Sequence, residues 1–544
     1  KWFELMRKGV SNFFLDEVVY QYRRHEGQAT QDQGHSVEID ADRVLLDETI
    51  RRKQIRGERI TVVIATTYYF GIGGGDLLLQ WFNKVLSDAG YDVHVVLFTN
   101  QENIPNHPSV HVVKQQYRFF MPAVYERYQA GNKDAGIEFK RWPYNVRKEY
   151  EEIFSENIPS VNEIFQKIKP DVVVVCGITG QPAPTMAFLK RFGRCLGYYP
   201  TFKLLCHSHV MLAEKKLSNI NDIAARLFMS RMFGVFDNSV RRDAVFLHKY
   251  LPEHVLKNLF TPMQLVDGWI TDSKYMKKRI LLADKTKFTS PDQIMSDDEI
   301  EVAYSYMDPN LFRPLGKNSA ESKRIALDSI KNLDISDSMN GLSKSKVLEI
   351  LGSKKVVMYL GRIVENKQVH NLLESWAYLN KNHKEEMKDH VLLLVGGGGG
   401  PYMDTLHNII VENNLKGSVI YLGAQENKYV VNFYNICELF VHLSSRDCFP
   451  RTLKEAALCE KLVISRNHTG VREAIKLLGG LFIPSRPHTV YDGKFLLKAL
   501  RIKGAKKTRM IKSSRRKAIK YFSWGGTAPR IVAVFNHFIM PDRK

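Results

Sequence analysis

Short apolar runs alternate with amphipathic helical patterns along most of the chain. The first series comprises the apolar runs 60–66, 92–98, 171–178, 202–210 and 268–273, with the helical segment 77–90 between the first two. Runs that are apolar on both faces are typical of strands in a parallel sheet, because helices cover both sides of such a sheet. The pattern therefore predicts βαβ units and a parallel sheet in the first half of the chain.

A second series of the same kind begins after residue 350. Its predicted strands are 355–362, 390–400, 418–423, 437–445 and 461–467, with helical patterns at 369–381 and 403–414. A polar segment rich in Ser, Lys and Asp separates the two series. We therefore predict an α/β fold with two Rossmann-like, doubly wound domains facing each other across a cleft.

The same patterns predict where the parts of the chain begin and end. We expect an N-terminal extension, a first Rossmann-like domain, a connector, a second Rossmann-like domain, and a C-terminal helix that crosses back to the first domain. The predicted bounds are 1–56, 57–305, 306–350, 351–520 and 521–544.

Composition narrows the class of protein. The chain has 544 residues, a net charge of +21 and six cysteines without a C-x-x-C pair. Scattered cysteines argue against a disulfide framework or a standard zinc site and favour a reducing, cytoplasmic compartment. No apolar run approaches the roughly 20 residues of a membrane span. A basic balance of this size is typical of proteins that meet polyanions, anionic membranes or phosphate-bearing ligands, although it also fits a solvated surface.

Two glycine-rich loops follow predicted strands. Gly73, Gly74 and Gly75 lie between a strand and a helix, where free backbone amides can bind phosphate or an acceptor. The alternative is a tight turn between strand and helix that needs glycine for its backbone angles. The loop does not fit the dinucleotide-binding motif G-x-G-x-x-G, and the chain has no P-loop motif. Gly396 and Gly397 follow a later strand, either packed against a nucleotide or within a flexible loop.

Polar residues at other strand ends are candidates for ligand binding. His207 ends an apolar run, and Gly361 and Arg362 end another, with Lys367 on the loop beyond. An arginine fork together with a lysine point charge suits a diphosphate without a metal ion. Taken singly, His207 fits a structural histidine better than a ligand-binding one, and Arg362 and Lys367 fit two surface cations better; the convergence of several such strand ends favours the ligand site.

The stretch 444–457, SSRDCFPRTLKEAA, combines a strand end, a turn and a helix. Pro450 suits a helix start, Asp447 lies at the mouth of the helix, and Glu455 lies more than a turn inside it. Two acids on one strand-loop-helix segment do not readily flank a single bond as glycosidase carboxylates do. Asp447 and Glu455 are better suited to bind the two ends of one long ligand, such as a nucleotide sugar.

Together these motifs resemble the GT-B glycosyltransferases, specifically the large retaining family 4, over residues 58–540. The residues that match the family's patterns in chain order are Gly74-Gly75, His207-Ser208, Asp308, Phe312, Pro314, Gly361-Arg362, Lys367, Asp447 to Pro450, Glu455-Ala456 and Phe522-Ser523-Trp524. The pattern normally has Glu and Gly where this chain has Asp447 and Cys448, and it has Gly where this chain has Gln368. Cys448 adds a side chain beside the expected donor sugar.

The resemblance implies a retaining, metal-independent hexosyltransferase with no cofactor. It assigns the acceptor to the first domain and a nucleotide-diphosphate sugar to the second. Arg362 and Lys367 would hold the diphosphate, Asp447 the donor sugar and Glu455 the ribose, with His207 near the transferred sugar. The expected donor-binding positions also include Gly361, Gly396, Gly397, Cys448, Phe449 and Pro450.

A second resemblance covers the N-terminus. Residues 13–30 look like the tail of a family 2 GT-A glycosyltransferase, so we expect residues 1–56 to be either a remnant of such a domain or an unrelated extension. The chain begins without Met, which favours a fragment or a processed product.

The expected partners are a nucleotide sugar and a glycan, glycolipid or glycoprotein acceptor. The basic segment 501–520 could dock on an anionic membrane, which would make the protein cytoplasmic and peripheral at a membrane. Two alternatives also fit the sequence. One is a GT-B protein that binds or modifies nucleic acid, for which no recognition motif is present. The other is a non-catalytic GT-B scaffold.

Overall fold

The computed structural model describes most of the second half of the chain and several separate parts of the first. The described residues are 49–66, 69–70, 74–99, 104–113, 163–165, 167–176, 203–208, 268–278, 300–333, 335, 341–445, 447, 449–485 and 489–539. For residues 203–208 and for Gly74, Gly75, Phe98, Val175 and Thr469, only the backbone is described.

The first sheet has seven strands, and every pair in it is parallel. Its order is β3-β2-β1-β4-β5-β6-β7, with the order reversing between β1 and β4. The strands are β1 (Thr61–Thr66), β2 (Asp92–Phe98), β3 (Val110–Val113), β4 (Val172–Cys176), β5 (Lys203–Ser208), β6 (Gly268–Thr271) and β7 (Ile300–Val302). This is the strand order of a doubly wound Rossmann-like domain with one added edge strand.

One face of this sheet is covered by two helices that are far apart in sequence. Helix α1 (Gly74–Asp88) buries Phe82 and Leu86 against the core side chains of β1. The last described helix, α12 (Trp524–Ile539), adds Ile531 and Phe535 to the same core. The C-terminal helix therefore packs on the first sheet, although the chain has by then passed through the second.

The second sheet has six parallel strands in the order β10-β9-β8-β11-β12-β13. Its strands are β8 (Lys355–Leu360), β9 (His390–Val395), β10 (Val419–Tyr421), β11 (Cys437–His442), β12 (Leu462–Arg466) and β13 (Leu481–Ile483). The helices around it are α4 (Val369–Asn382), α5 (Lys384–Met387), α6 (Pro401–Glu412), α7 (Asn427–Ile436), α8 (Arg451–Leu458), α9 (Thr469–Leu478), α10 (Thr489–Leu500) and α11 (Gly504–Phe522). The predicted α/β class with two Rossmann-like doubly wound domains is confirmed.

The segment between the sheets is largely built into the second domain. It contains helices α2 (Ser319–Ile330) and α3 (Lys344–Ser353). Asn318 caps α2 by accepting a hydrogen bond from the Glu321 amide at 2.9 Å, as short polar residues do at helix starts. Ala326 and Leu351 are fully buried in a core that β8 and β11 share. The expected connector 306–350 is thus mainly a packed part of the second domain.

The chain passes between the two sheets twice, through residues 303–307 and residues 522–524. We call these two segments the interdomain crossing. The Met307 amide donates to the Phe522 carbonyl at 2.7 Å, and this bond joins the two segments of the crossing. Tyr304 stacks on Phe449, with ring centroids 5.2 Å apart, and meets Phe522 edge-on. An aromatic cluster therefore joins the crossing to the loop before α8.

Candidate functional site

The predicted donor residues lie at the carboxyl edge of the second sheet. β8 ends at Leu360, and Gly361 and Arg362 follow it directly, with Lys367 closing the short 3-10 turn Glu365–Lys367. β11 ends at His442, and Asp447 lies on the loop that follows. β8 and β11 are neighbours at the point where the strand order reverses. Ligands of open α/β sheets bind in the crevice at this point.

Hydrogen bonds join the two loops that carry these residues. The Asn366 carbonyl accepts from the Ser444 hydroxyl at 3.1 Å and from the Ser445 hydroxyl at 3.0 Å. It also accepts from the Ser445 amide at 2.8 Å. Lys367 is the next residue along the chain, so these bonds hold its backbone close to the loop of Asp447.

Lys367 and Asp447 form a largely buried ion pair. The Lys367 Nζ is 2.7 Å from each carboxylate oxygen of Asp447, and the side chains are 15% and 16% exposed. His442 Nε2 lies 2.9 Å from Asp447 Oδ2. Burial disfavours the charged carboxylate, but Lys367 and His442 outweigh burial and hold the pKa of Asp447 well below its usual range. Asp447 is therefore ionised and already held by two protein groups.

Arg362 lies at the exposed rim of this site. Its carbonyl accepts a 2.8 Å hydrogen bond from the hydroxyl of buried Tyr359. The bond fixes the backbone at Arg362, an exposed residue directly after β8, beside the point where the strand order reverses.

The two glycine positions predicted at the ends of β8 and β9 meet each other. Gly396 has φ +139°, and a Cβ on it would lie 1.9 Å from the Gly361 carbonyl oxygen. Gly361 itself has φ +151°. A Cβ on Gly397 would make an ordinary contact with Ala424 at 3.5 Å. Of these glycines, Gly396 is thus required by the close approach of two strand-end loops.

Phe449 and Pro450 shape the start of α8 rather than an open surface. Phe449 is buried against Tyr304 and Phe522 of the aromatic cluster. Pro450 directly precedes the first helical residue, Arg451, with extended backbone angles. Phe449 thus links the Asp447 loop to the interdomain crossing.

Glu455 is nearly buried, and its side chain is only 8% exposed. The Tyr434 hydroxyl donates to its Oε2 at 2.9 Å, and Arg451 Nε lies 3.8 Å from its Oε1. Burial raises the pKa of Glu455, while Arg451 and Tyr434 oppose the rise. Arg451 and Tyr434 were not expected from the sequence, although Arg451 stands four residues before Glu455, the spacing of helical ion pairs.

Lys454 is the most unexpected residue near the site, because it is a fully buried lysine. Its Nζ donates to the Ser305 hydroxyl at 2.5 Å and lies 5.0 and 5.2 Å from the ring centroids of Phe449 and Phe522. Burial lowers the pKa of Lys454 to about 7. Nothing in the sequence signals this, since a lysine on a helix normally reaches solvent.

Glu473 on α9 contacts the first domain. Its two carboxylate oxygens accept from the backbone amides of Lys274 and Tyr275 at 3.1 and 2.9 Å. The Tyr304 hydroxyl also donates to it at 2.9 Å. One carboxylate therefore joins the second domain both to the carboxyl edge of the first sheet and to the crossing.

The remaining predicted site residues lie in the first domain or outside the described residues. Gly74 and Gly75 are the first two residues of α1. His207 lies in β5, where its backbone pairs with Cys176 and Ile270. Gly73, Cys448 and residues 1–48 lie outside the described part of the chain.

The described residues contain neither a metal-binding cluster nor a helix that could cross a membrane. In that part of the chain, no group of three or more His, Cys, Asp or Glu side chains is arranged to hold a metal ion. None of the helices described combines the length and apolar character that crossing a membrane requires.

Part of the second domain matches a known protein family. Residues 343–516, roughly a third of the chain, match the family model described as glycosyl transferases group 1. No curated protein sequence matches the chain significantly. The residues that match this family model include the Lys367–Asp447 pair.

Solved structures match the chain over nearly its whole length. HepE of Anabaena in complex with UDP is 13% identical, with a TM-score of 0.55, and the match covers 88% of this chain and 99% of that one. Sucrose-phosphate synthase of Thermosynechococcus elongatus is 16% identical, with a TM-score of 0.57, covering 89% and 100%. WaaG, a glycosyltransferase involved in lipopolysaccharide biosynthesis, is 12% identical, with a TM-score of 0.51, covering 87% and 98%. At these identities the likeness shows the fold, which is that of GT-B glycosyltransferases.

Proposed function

We propose that the protein is a retaining, metal-independent hexosyltransferase of the family 4 type. It moves a sugar from a nucleotide-diphosphate sugar to a glycan, lipid or protein acceptor. The observation that carries the proposal is the pair of cations, Arg362 and Lys367, at the strand-order reversal of a sheet within the group 1 glycosyltransferase match. HepE has been crystallised with UDP-glucose, which makes uridine diphosphate sugars the first donors to test.

The proposed chemistry is electrostatic. Cleavage of the bond between the sugar and the diphosphate leaves negative charge on the departing phosphate. Arg362 offers a fork of N–H donors and Lys367 a point charge, and both stabilise that charge better in a water-poor site. The departing phosphate also accepts the acceptor hydroxyl proton as the new bond forms on the same face of the sugar, so the anomeric configuration is retained.

The other predicted residues have positioning roles in this proposal. His207 lies near the transferred sugar, and the amides at Gly74 and Gly75 face the acceptor. Glu455 binds the ribose hydroxyls. A carboxylate offers about four lone-pair positions, and Tyr434 and Arg451 engage only part of them, so Glu455 can accept a further hydrogen bond.

The test is a transfer and hydrolysis assay over a panel of nucleotide sugars, with Arg362→Ala and Lys367→Ala as variants. Each variant is expected to lose at least a hundredfold in turnover, because oxyanion-type stabilisation by one group is worth about that much. Arg362→Ala should keep the wild-type melting temperature, whereas Lys367→Ala should lower it, because it leaves the largely buried Asp447 without its ion-pair partner. Lys381→Ala, an exposed lysine on α4, is the matched control and keeps its activity. NMR of the product anomer decides between retention and inversion.

Three results would overturn parts of this proposal. Wild-type rates in both site variants would exclude the assigned diphosphate site. Binding of a nucleoside diphosphate without turnover of any donor would favour the non-catalytic scaffold. Absence of both binding and turnover would exclude the transferase.

We further propose that the protein is cytoplasmic and peripheral at an anionic membrane, through helix α11. The buried side of this helix carries Ser514, Ala518 and Phe522. Its opposite side carries a line of exposed cations, here called the basic stripe: Lys506, Arg509, Lys512, Arg516 and Lys520. At 1.5 Å per residue the stripe is about 21 Å long. A straight row of cations on a convex helix suits a flat anionic surface.

The charges of the basic stripe are available to a partner. Arg501 and Lys507 near its start are ion-paired with Glu386 and Glu438, respectively. Within the part of the chain that is described, no carboxylate pairs with a residue of the stripe itself. Each cation near an anionic bilayer contributes about 1 kcal/mol, so five together can hold a soluble protein at the surface.

Sedimentation with vesicles tests this partner. The triple variant Lys512→Gln, Arg516→Gln, Lys520→Gln should bind phosphatidylserine vesicles on the order of a hundredfold more weakly than wild type. A control that removes three exposed lysines elsewhere, Lys317→Gln, Lys381→Gln, Lys384→Gln, should bind as wild type does. Equal loss in both variants would mean a non-specific charge effect. Tighter, salt-sensitive binding to RNA than to vesicles would favour the nucleic-acid alternative.

A further inference from the structure

His442 is a buried residue that no sequence motif singled out, and it contacts the ion pair at the centre of the candidate site. It ends β11, and its side chain is 4% exposed. Its Nε2 lies 2.9 Å from Asp447 Oδ2. A carboxylate ion only accepts hydrogen bonds, so this contact requires a proton on Nε2.

The other side of the imidazole is also held. Ser465, paired with His442 across β11 and β12, has its hydroxyl oxygen 3.3 Å from Nδ1. The same hydroxyl donates to the His442 carbonyl at 2.8 Å. The ring thus lies between a strand neighbour and Asp447, on a central strand of the sheet.

The ion pair depends on such an anchor. Lys367 has a flexible four-carbon stem, and its ammonium group keeps one position only if its partner does. Asp447 lies on a loop, and its carboxylate meets Lys367 with both oxygens at 2.7 Å. His442 connects that carboxylate to the last residue of β11.

We propose that His442 is a positioning residue that acts through Asp447 to fix the ammonium group of Lys367 for the donor diphosphate. This inference rests on the proposed function and deepens it. It assigns Asp447 to holding Lys367, with recognition of the donor sugar falling to other groups. It also accounts for an aspartate in place of the family's usual glutamate, since the shorter side chain meets His442 directly.

A double-mutant cycle tests the anchor without any ligand. His442→Leu, Asp447→Ala and the double variant are unfolded in urea. If His442 acts through Asp447, the factor by which His442→Leu lowers the folding equilibrium constant should be at least about fivefold smaller in the Asp447→Ala background. Additive costs would overturn the anchor.

Calorimetry then tests the role toward phosphate, with UDP and uridine as probes. His442→Leu should weaken UDP binding about tenfold or more and uridine binding less than about twofold, because only UDP reaches Lys367. His442→Gln, which keeps a donor toward Asp447, should bind UDP within about threefold of wild type. The control His390→Leu, at the opposite edge of the same sheet, should leave both affinities unchanged.

The outcomes separate this inference from the proposed function. Equal weakening of UDP and uridine in His442→Leu would mean a general structural defect and would refute the positioning role. If wild type binds neither probe, the proposed donor site fails, and the phosphate role of His442 fails with it. The unfolding cycle would still decide whether His442 anchors Asp447.

Discussion

The buried lysine at position 454 leads to a prediction about stability and pH. Lys454 is fully buried, and its ammonium group contacts the Ser305 hydroxyl and two aromatic rings. We expect the variant Lys454→Met to differ from wild type by an amount that depends on pH. Methionine has a similar length, fills irregular space and carries no charge.

The magnitude follows from the pKa. Burial lowers the pKa of Lys454 from 10.5 to about 7, although the charges of Asp272 and Glu455 partly oppose this. Between these two values the unfolded chain binds a proton that the folded chain does not, so the free energy of unfolding of wild type rises with pH. The slope approaches 1.4 kcal/mol per pH unit, and the rise between pH 7 and 9.5 is about 3 kcal/mol.

The assay is urea unfolding of wild type and Lys454→Met at several values between pH 6.5 and 9.5. The free energy of unfolding of Lys454→Met minus that of wild type should be largest at pH 6.5 and should fall by about 3 kcal/mol by pH 9.5. Lys381→Met, at an exposed position, should show no such trend. A difference between wild type and Lys454→Met that does not change with pH would show that Lys454 is solvated in the folded protein and would refute the reasoning.

Two further substitutions test the framework of the site. Gly396→Ala should lower donor turnover at least tenfold, because its Cβ would collide with the Gly361 carbonyl and displace the loop of Arg362; Gly397→Ala should remain close to wild type in the same kinetic assay. Asp492→Asn should lower the free energy of unfolding by about 3–5 kcal/mol, because it leaves the buried guanidinium of Arg466 without its 2.7 Å partner. A loss below about 1 kcal/mol in urea unfolding would mean that water reaches this pair.

The architecture could be predicted because its signals are local. Strands buried in a parallel sheet are apolar along their whole length, as in the segments HVLLLV and KVVMYL of β9 and β8. Helices between them carry one apolar face. Each pattern lies within one short segment, so two alternating series predict two doubly wound sheets, and the described strand orders agree with that prediction.

Part of the candidate site could be predicted for the same reason. Residues directly after the strands of a parallel sheet share one edge, so Gly361, Arg362 and Asp447 could be assigned to a single crevice. The ion pair between Lys367 and Asp447 could not, because the sequence gives no distance between two loops that are 80 residues apart. Their contact depends on how the loops after β8 and β11 join at Asn366.

The order of residues alone thus accounts for the class of fold, the edge of the sheet where the candidate site lies and the cations found there. Packing decided the rest. In the sequence, His442 and Lys454 are ordinary residues of a strand and a helix. Their partners come from distant segments that only the tertiary fold brings close. A buried charge needs such partners to be tolerated, and no pattern within one segment records which distant side chain supplies them.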